Sequence, residues 1–169
     1  KHLNYTYQEG EGGIAEALGL AEHFAEGEKI CVVLGDNIIE KNIREQARDF
    51  EKQKDGAMII LKKVPDPKRF GVPVFDDKRI VKIEEKPAEP KSDYAVTGLY
   101  MYDSTIFDII KTLKPSDRGE LEITDVNNSY IQKRNLVWRE LEGWWTDAGT
   151  FSSLLSANKM VEETGANKV

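Results

Sequence analysis

Residues 30 to 40 of the chain read ICVVLGDNIIE, which is the most informative stretch of the sequence. Five apolar residues run without interruption from Ile30 to Leu34, as expected of a strand that is covered on both faces of a sheet. Gly35 then turns the chain, and Asp36 and Asn37 follow. Polar side chains at this position indicate either a cap for the next segment or a ligand site, because open α/β sheets bind ligands outside the carboxyl ends of their strands.

The segments on either side alternate between strand and helix patterns. Apolar residues recur at helical spacing between Gly13 and Gly27, and residues 4–8 are a candidate for a short strand before them. After the opening stretch, residues 40–56 have the pattern of a charged helix, and AMIILKKV at 57–64 has that of a second buried strand. Strands that alternate with helices predict a parallel α/β sheet.

The second half of the chain predicts further strands and helices. Two short strands flank a turn at residues 76–78, and a longer strand covers 94–103. Helices are predicted at 104–114 and 121–134, a strand at 136–141, and a last amphipathic helix from residue 151. We therefore expect one domain over residues 1–169 of the α/β class, with a mixed, mostly parallel, Rossmann-like sheet and helices on both faces.

Composition limits the possible functions. The chain has 169 residues, enough for one domain with a core, and a net charge of −6, which disfavours sequence-blind binding of nucleic acid. The one cysteine, Cys31, lies in the apolar strand and is predicted to be buried. Apolar runs are too short to span a membrane and the N-terminus resembles no signal peptide, so we expect a cytoplasmic protein that binds neither membranes nor nucleic acid.

Two aspartates are candidates for a metal site. Asp36 is the first, and Asp147 within GWWTDAGT (143–150) is the second. Two carboxylates suffice for Mg²⁺, which keeps several waters and takes its remaining oxygens from substrate phosphates. The competing interpretation of each residue is structural: Asp36 as a cap and Asp147 as the start of a helix in a tryptophan-rich corner.

Two charged segments are candidates for phosphate or sugar binding. EEKP (84–87) places Glu85 and Lys86 at the end of a strand, and SDRGELEITD (116–125) places Arg118 in a loop before a helix. Taken singly, each is more often a solvated strand end or a surface charge. The two histidines, His2 and His23, lack a partner pattern, which argues against a histidine metal site or a Ser-His-Asp triad.

Seven motifs occur together and in one order: GGIAEAL, LGDN, RFGV, EEKP, YAVTGLY, RGELEITD and WWTDAGT. This combination resembles the sugar-1-phosphate nucleotidyltransferases, from Gln8 to about Met160, and within them the members that act on glucose 1-phosphate and dTTP. The resemblance implies a Mg²⁺-dependent homo-oligomeric enzyme that transfers a thymidylyl group from dTTP to glucose 1-phosphate, giving dTDP-glucose and pyrophosphate. It also suggests a place in polysaccharide biosynthesis.

The resemblance further implies roles for twelve residues. Asp36 and Asp147 match the metal ligands, and Lys86 and Arg118 match the groups that hold the sugar phosphate; these four form the expected catalytic set. Gln8 and Gly13 match nucleotide-binding positions, together with Asp36. The remaining matches line the sugar pocket: Leu34, Asn37, Gly71, Glu85, Val96 and Tyr100.

The sequence departs from the family in two respects. The family's first strand and its G-G-x-G-T-R-L loop, which cradles the triphosphate, have no counterpart, so we expect an N-terminally incomplete domain that does not turn over as written. Glu16 also stands where the family often has glutamine. Two alternatives therefore stay open: a related module that senses sugar nucleotides without turnover, and a transferase that uses UTP. The pair Asp36 and Asp147 favours the enzyme.

Overall fold

A computed structural model describes residues 2–166 of the chain, which form six helices and eight strands. The helices are α1 (Ile14–Gly19), α2 (Glu22–Ala25), α3 (Arg44–Lys52), α4 (Ile106–Thr112), α5 (Ile123–Gln132) and α6 (Phe151–Thr164), with a 3₁₀ turn at Pro67–Arg69. The strands are β1 (Ile30–Val33), β2 (Asn37–Ile39), β3 (Ala57–Lys63), β4 (Gly71–Asp76), β5 (Arg79–Glu85), β6 (Tyr94–Tyr102), β7 (Leu136–Glu140) and β8 (Trp145–Asp147). No helix within residues 2–166 combines the length and apolar character needed to cross a lipid bilayer.

A four-stranded sheet in the order β1-β6-β3-β7 forms the centre of the molecule. Strand β3 pairs in parallel with β7, whereas β6 is antiparallel to both β1 and β3. Three of the four strands therefore share one direction, and the predicted mixed α/β class is confirmed. Strand β6 runs the other way because the chain reaches it through the β4–β5 hairpin, without the helical crossover that a parallel connection requires.

Side chains alternate across the sheet and build a core on each face. Ala57, Ile59 and Leu61 of β3 join a cluster with helices α1, α4 and α5, while Met58 and Ile60 join a second cluster that contains Phe50 of α3. Helices thus cover both faces, as predicted.

Two small antiparallel ribbons extend from this sheet. In the β2–β8 ribbon Asn37 lies opposite Asp147, and in the β4–β5 hairpin Gly71 lies opposite Glu85. The hairpin turns at the predicted place, where Asp77 adopts a φ of 53°. Neither β2 nor β8 was predicted, because three-residue strands carry too little periodicity to be recognised.

Three expectations from the sequence were wrong. The helix predicted between Gly13 and Gly27 is divided into α1 and α2, and residues 4–8 form no strand. In β1 the side chains of Cys31 and Val33 are exposed, although both faces were expected to be covered. Strand β1 lies at the edge of the sheet, and an all-apolar run does not reveal whether tertiary neighbours cover each of its faces.

Candidate active site

A cleft of about 400 Å³ brings together ten of the twelve site residues predicted from the sequence. The β2–β8 ribbon, the turn after β1, the middle of β6, the β4–β5 hairpin and the start of α5 line this cleft. The ten residues are Leu34, Asp36, Asn37, Gly71, Glu85, Lys86, Val96, Tyr100, Arg118 and Asp147.

The two candidate metal ligands both lie close to Gly149. The backbone N–H of Ala148 donates to the carbonyl of Asp36 at 2.7 Å, which holds the end of β8 against the turn after β1. A Cβ built on Gly149 would lie 3.4 Å from Oδ2 of Asp36 and 3.8 Å from Oδ2 of Asp147. Within residues 2–166 no cluster of three or more His, Cys, Asp or Glu side chains could hold a metal, so a cation here would keep water or substrate oxygens as its other ligands.

Asn37 holds the carboxylate of Asp36 in place. Its Nδ2 donates to Oδ1 of Asp36 at 2.8 Å, while its Oδ1 accepts from the Gly98 N–H at 2.8 Å and from Nε1 of Trp145 at 2.7 Å. The side chain therefore connects β2, β6 and β8 beside the candidate metal site. That Asn37 also contacts the sugar stays a prediction.

Lys86 lies across the cleft in an unusual backbone conformation. Its φ is 43°, in the left-handed region that costs a residue with a side chain on the order of 1–2 kcal/mol. The backbone N–H of Lys86 donates to the carbonyl of Phe70 at 3.0 Å, which helps to hold this conformation directly after β5. Strained backbone of this kind is concentrated at ligand sites.

Arg118 is held by carboxylates. Its Nη2 lies 2.8 Å from Oε2 of Glu122, 3.3 Å from Glu120 and 3.9 Å from Glu85, and its Nε donates to Glu122 at 3.2 Å. The hydrogen bonds from Arg118 to Glu122 are the main cause of the raised pKa of the guanidinium. A phosphate that binds Arg118 must therefore share or replace these contacts.

Glu85 and Tyr100 are the polar groups of the expected sugar pocket, and Glu85 lies 3.9 Å from both Lys86 and Arg118. Glu85 accepts a hydrogen bond from Oγ1 of Thr124 at 2.6 Å. Tyr100 is buried, and this burial raises the pKa of its phenol, with a further contribution from the charges of Glu85 and Asp36. The Tyr100 hydroxyl therefore stays neutral at physiological pH.

The two predicted base-reading residues, Gln8 and Gly13, lie in a second cavity of about 450 Å³. This cavity adjoins the first, since Leu34 lines both. Nε2 of Gln8 donates to Oε2 of Glu16 at 2.6 Å and to the Gly13 carbonyl at 3.2 Å. These contacts give the two amide hydrogens of Gln8 acceptors within the chain, so the amide oxygen is the atom of Gln8 that could accept from a base N–H.

The charges around the first cleft suit a cation. Five carboxylates line it, those of Asp36, Glu85, Glu120, Glu122 and Asp147, against the three positive charges of Arg69, Lys86 and Arg118. The cleft therefore carries an excess of two negative charges. Two phosphate-bearing substrates could meet here only if a cation offset that excess, and oxygen-rich ligands suit Mg²⁺.

Sequence reasoning missed several residues of this cleft. Arg69, Thr124 and Trp145 all line it, as does Gly98. Each belongs to a motif that was recognised, RFGV, RGELEITD, WWTDAGT and YAVTGLY respectively. The motifs could have indicated that these residues belong to the site. Their contacts could not be predicted, because Arg69, Thr124 and Trp145 each form a hydrogen bond with a residue in a distant part of the chain.

The fold and the cleft agree with one class of protein. The sequence profile of the nucleotidyl transferase family matches residues 1–164, and the chain belongs to this family. The resemblance inferred from the seven motifs is thereby confirmed.

Several relatives of this chain share the name glucose-1-phosphate thymidylyltransferase. The glucose-1-phosphate thymidylyltransferase of Neisseria meningitidis is 42% identical over 164 residues, which are 95% of this chain and 57% of the relative. The corresponding protein of Xanthomonas campestris is 40% identical over 165 residues, 95% of this chain and 56% of the relative. The chain thus spans little more than half the length of the curated relatives it matches.

Solved structures agree with this grouping. A crystal structure of a Bacillus anthracis protein described as a glucose-1-phosphate thymidylyltransferase, in complex with sucrose, superposes with a TM-score of 0.89 and 52% identity, covering 95% of this chain and 65% of that one. A UDP-glucose pyrophosphorylase complexed with UDP-glucose superposes with a TM-score of 0.83 at 21% identity, with 95% and 66% of the two chains covered, which shows the shared fold alone.

Proposed function

We propose that the cleft serves the transfer of a thymidylyl group from dTTP to glucose 1-phosphate, giving dTDP-glucose and pyrophosphate. The observation that carries this proposal is the arrangement of one cleft with the carboxylates of Asp36 and Asp147 on one side and the cations Lys86 and Arg118 on the other. The names of the 40–42% identical relatives point to the same substrates.

Lys86 and Arg118 are the groups that hold the phosphate of glucose 1-phosphate. Arg118 can offer two parallel N–H donors to phosphate oxygens, and Lys86 offers a mobile point charge. Glu85 and the Tyr100 hydroxyl line the cleft near them and suit the hydroxyls of a hexose.

The reaction needs positioning more than covalent chemistry. An ionised oxygen of the sugar phosphate forms a bond to the α-phosphorus of dTTP, and the bond from that phosphorus to the bridging oxygen breaks as pyrophosphate leaves with the electron pair. Lys86 and Arg118 hold the anionic nucleophile against repulsion from the triphosphate. Mg²⁺, when bound by Asp36 and Asp147, would supply positive charge at the α-phosphate.

In this proposal the second cavity recognises the base of the nucleotide. The amide oxygen of Gln8, whose Nε2 is hydrogen-bonded to Gly13 and Glu16, suits the imide N–H of thymine, and it suits that of uracil equally. Titration with dTDP-glucose and UDP-glucose separates the two preferences. Tighter binding of dTDP-glucose supports the thymidylyl donor, and tighter binding of UDP-glucose supports the UTP-using alternative.

A binding experiment tests the sugar-phosphate site. Calorimetric titration of the Lys86→Ala variant with glucose 1-phosphate should show an affinity at least about tenfold weaker than that of the unmodified chain, since one charge-assisted contact is lost. Lys78→Ala, an exposed lysine in the turn of the same β4–β5 hairpin, is the matched control and should bind as the unmodified chain does. Equal affinities for both variants would refute the assignment of Lys86.

A further inference from the structure

Arg69 contacts the candidate metal site, although the sequence motifs predicted no role for this residue. It ends the 3₁₀ turn before β4, and its Nη2 lies 3.2 Å from Oδ2 of Asp147. This is a hydrogen-bonded ion pair between segments 78 residues apart. The Arg69 side chain is 54% exposed and that of Asp147 is 25% exposed, so the arginine can leave its partner without opening the core.

Arg69 and a divalent cation compete for the same carboxylate. The Oδ2 atom of Asp147 that accepts from Arg69 is also the one that lies near Oδ2 of Asp36, since both are within 4 Å of a Cβ built on Gly149. A cation shared by the two aspartates would be placed beside it. A cation at that point would repel the guanidinium and polarise the oxygen that it contacts. The two positive groups therefore cannot both bind Asp147 at full strength.

We propose that Arg69 holds Asp147 until a divalent cation displaces it, so that cation binding delivers a free guanidinium into the cleft. This inference rests on the cation site of the proposed function. The displaced Arg69 remains among the cleft-lining side chains, where its planar donors suit the oxygens of a bound triphosphate or pyrophosphate.

The exchange also connects the two sides of the cleft. Arg69 lies over the ring of Phe70, with 5.6 Å between Cζ and the ring centroid, and Phe70 packs edge-on against Trp145 at 5.2 Å. The carbonyl of Phe70 accepts from the backbone N–H of Lys86. Release of the ion pair by a cation thus loosens a tether between β8 and the segment that supports Lys86.

Binding of Mn²⁺, followed by its electron paramagnetic resonance signal, tests the exchange without any need for turnover. Arg69→Gln removes the competitor and should bind Mn²⁺ about two- to fivefold more tightly than the unmodified chain, the range of a partly exposed ion pair. The control is Lys68→Gln, which removes the same charge from the neighbouring exposed residue, and it should leave the affinity within experimental error. If Arg69→Gln binds no more tightly than Lys68→Gln, the exchange does not occur.

Measurements in the Asp147→Asn variant distinguish a failure of this inference from a failure of the cation site itself. In Asp147→Asn, Mn²⁺ affinity should fall sharply, and adding Arg69→Gln should no longer raise it. If Asp147→Asn binds Mn²⁺ like the unmodified chain, the cation site and the proposed function both fail. If Asp147→Asn weakens binding while Arg69→Gln acts like its control, only the role of Arg69 fails.

Discussion

Lys86 joins a side chain suited to phosphate with a backbone conformation that favours glycine. Its φ of 43° is compatible with Lys only at an energetic cost. We expect Lys86→Gly to be more stable than Lys86→Ala by about 1 kcal/mol, because glycine adopts left-handed backbone without that cost. Both variants should lose affinity for glucose 1-phosphate equally, since both lack the ammonium group. Urea denaturation followed by circular dichroism measures the difference.

The matched comparison for Lys86 is Lys78, in the turn of the same hairpin, because the φ of Lys78 itself is not positive. Here Lys78→Gly should be no more stable than Lys78→Ala. If the difference in stability between the Gly and Ala variants were the same at position 78 as at position 86, the backbone at Lys86 would not be strained.

Asp103 is a buried carboxyl whose hydrogen bonds make stability depend on pH. Burial acts to raise its pKa, but hydrogen bonds from the Thr105 hydroxyl, the Gly56 N–H and the Tyr130 hydroxyl together lower it below the usual value. A carboxyl with a lowered pKa in the folded state stabilises the protein above its unfolded pKa, near 4, and loses this contribution as pH falls through the folded value.

We therefore expect Asp103→Asn to lower the free energy of unfolding by about 2–3 kcal/mol at pH 7, where the ionised carboxylate accepts several bonds. The difference in the free energy of unfolding between the variant and the unmodified chain should become smaller toward pH 3. Asp108→Asn, whose carboxylate is 84% exposed, serves as the control. A difference that stays constant from pH 7 to pH 3 would argue against an ionised Asp103.

At the scale of elements, β2, β6 and β8 meet at a place where only glycine fits. A Cβ on Gly98 of β6 would lie 2.4 Å from Nδ2 and 2.9 Å from Oδ1 of Asn37. The amide of Asn37 would have to move, and with it the hydrogen bonds that hold Asp36 and Trp145. The position of the Asp36 carboxylate therefore depends on the close approach of β2 and β6.

Gly98→Ala should consequently weaken Mn²⁺ binding about tenfold or more and destabilise the fold by about 1–3 kcal/mol, the usual cost of overpacking. Calorimetry and urea denaturation measure the two effects. Gly35→Ala, where a Cβ meets no atom within 4 Å, should change neither quantity substantially. Unchanged Mn²⁺ binding in Gly98→Ala would show that Asn37 does not hold the Asp36 carboxylate in place.

At the scale of the whole molecule, β3 belongs to both cores. Ile59 and Leu61 pack on one face of the sheet and Met58 and Ile60 on the other, so neither core can lose its packing while the other stays intact. We expect a single cooperative unfolding transition, with coincident curves from circular dichroism and tryptophan fluorescence. Two separated transitions would contradict the prediction of one domain.

Local patterns in the sequence were enough to predict most of the helices and strands and most of the site residues. The periodicity of apolar residues located ten elements, the six strands β1 and β3–β7 and the four helices α3–α6, because periods of 3.6 and 2 reflect which side chains face the core. The motifs also identified ten residues that share one cleft. Helices and strands depend on residues a few positions apart, and the site motifs depend on the residue types that the reaction requires. Both can be recognised in the sequence.

Tertiary structure alone established the relations between distant segments. The pairing of Asn37 with Asp147, the ion pair of Arg69 with Asp147 and the exposure of Cys31 in β1 all depend on which strands lie side by side. The reversed direction of β6 and the short strands β2 and β8 have the same origin. Strand pairing joins residues far apart in the chain, and its free energy comes from burial across the whole sheet, so no local window of sequence contains it.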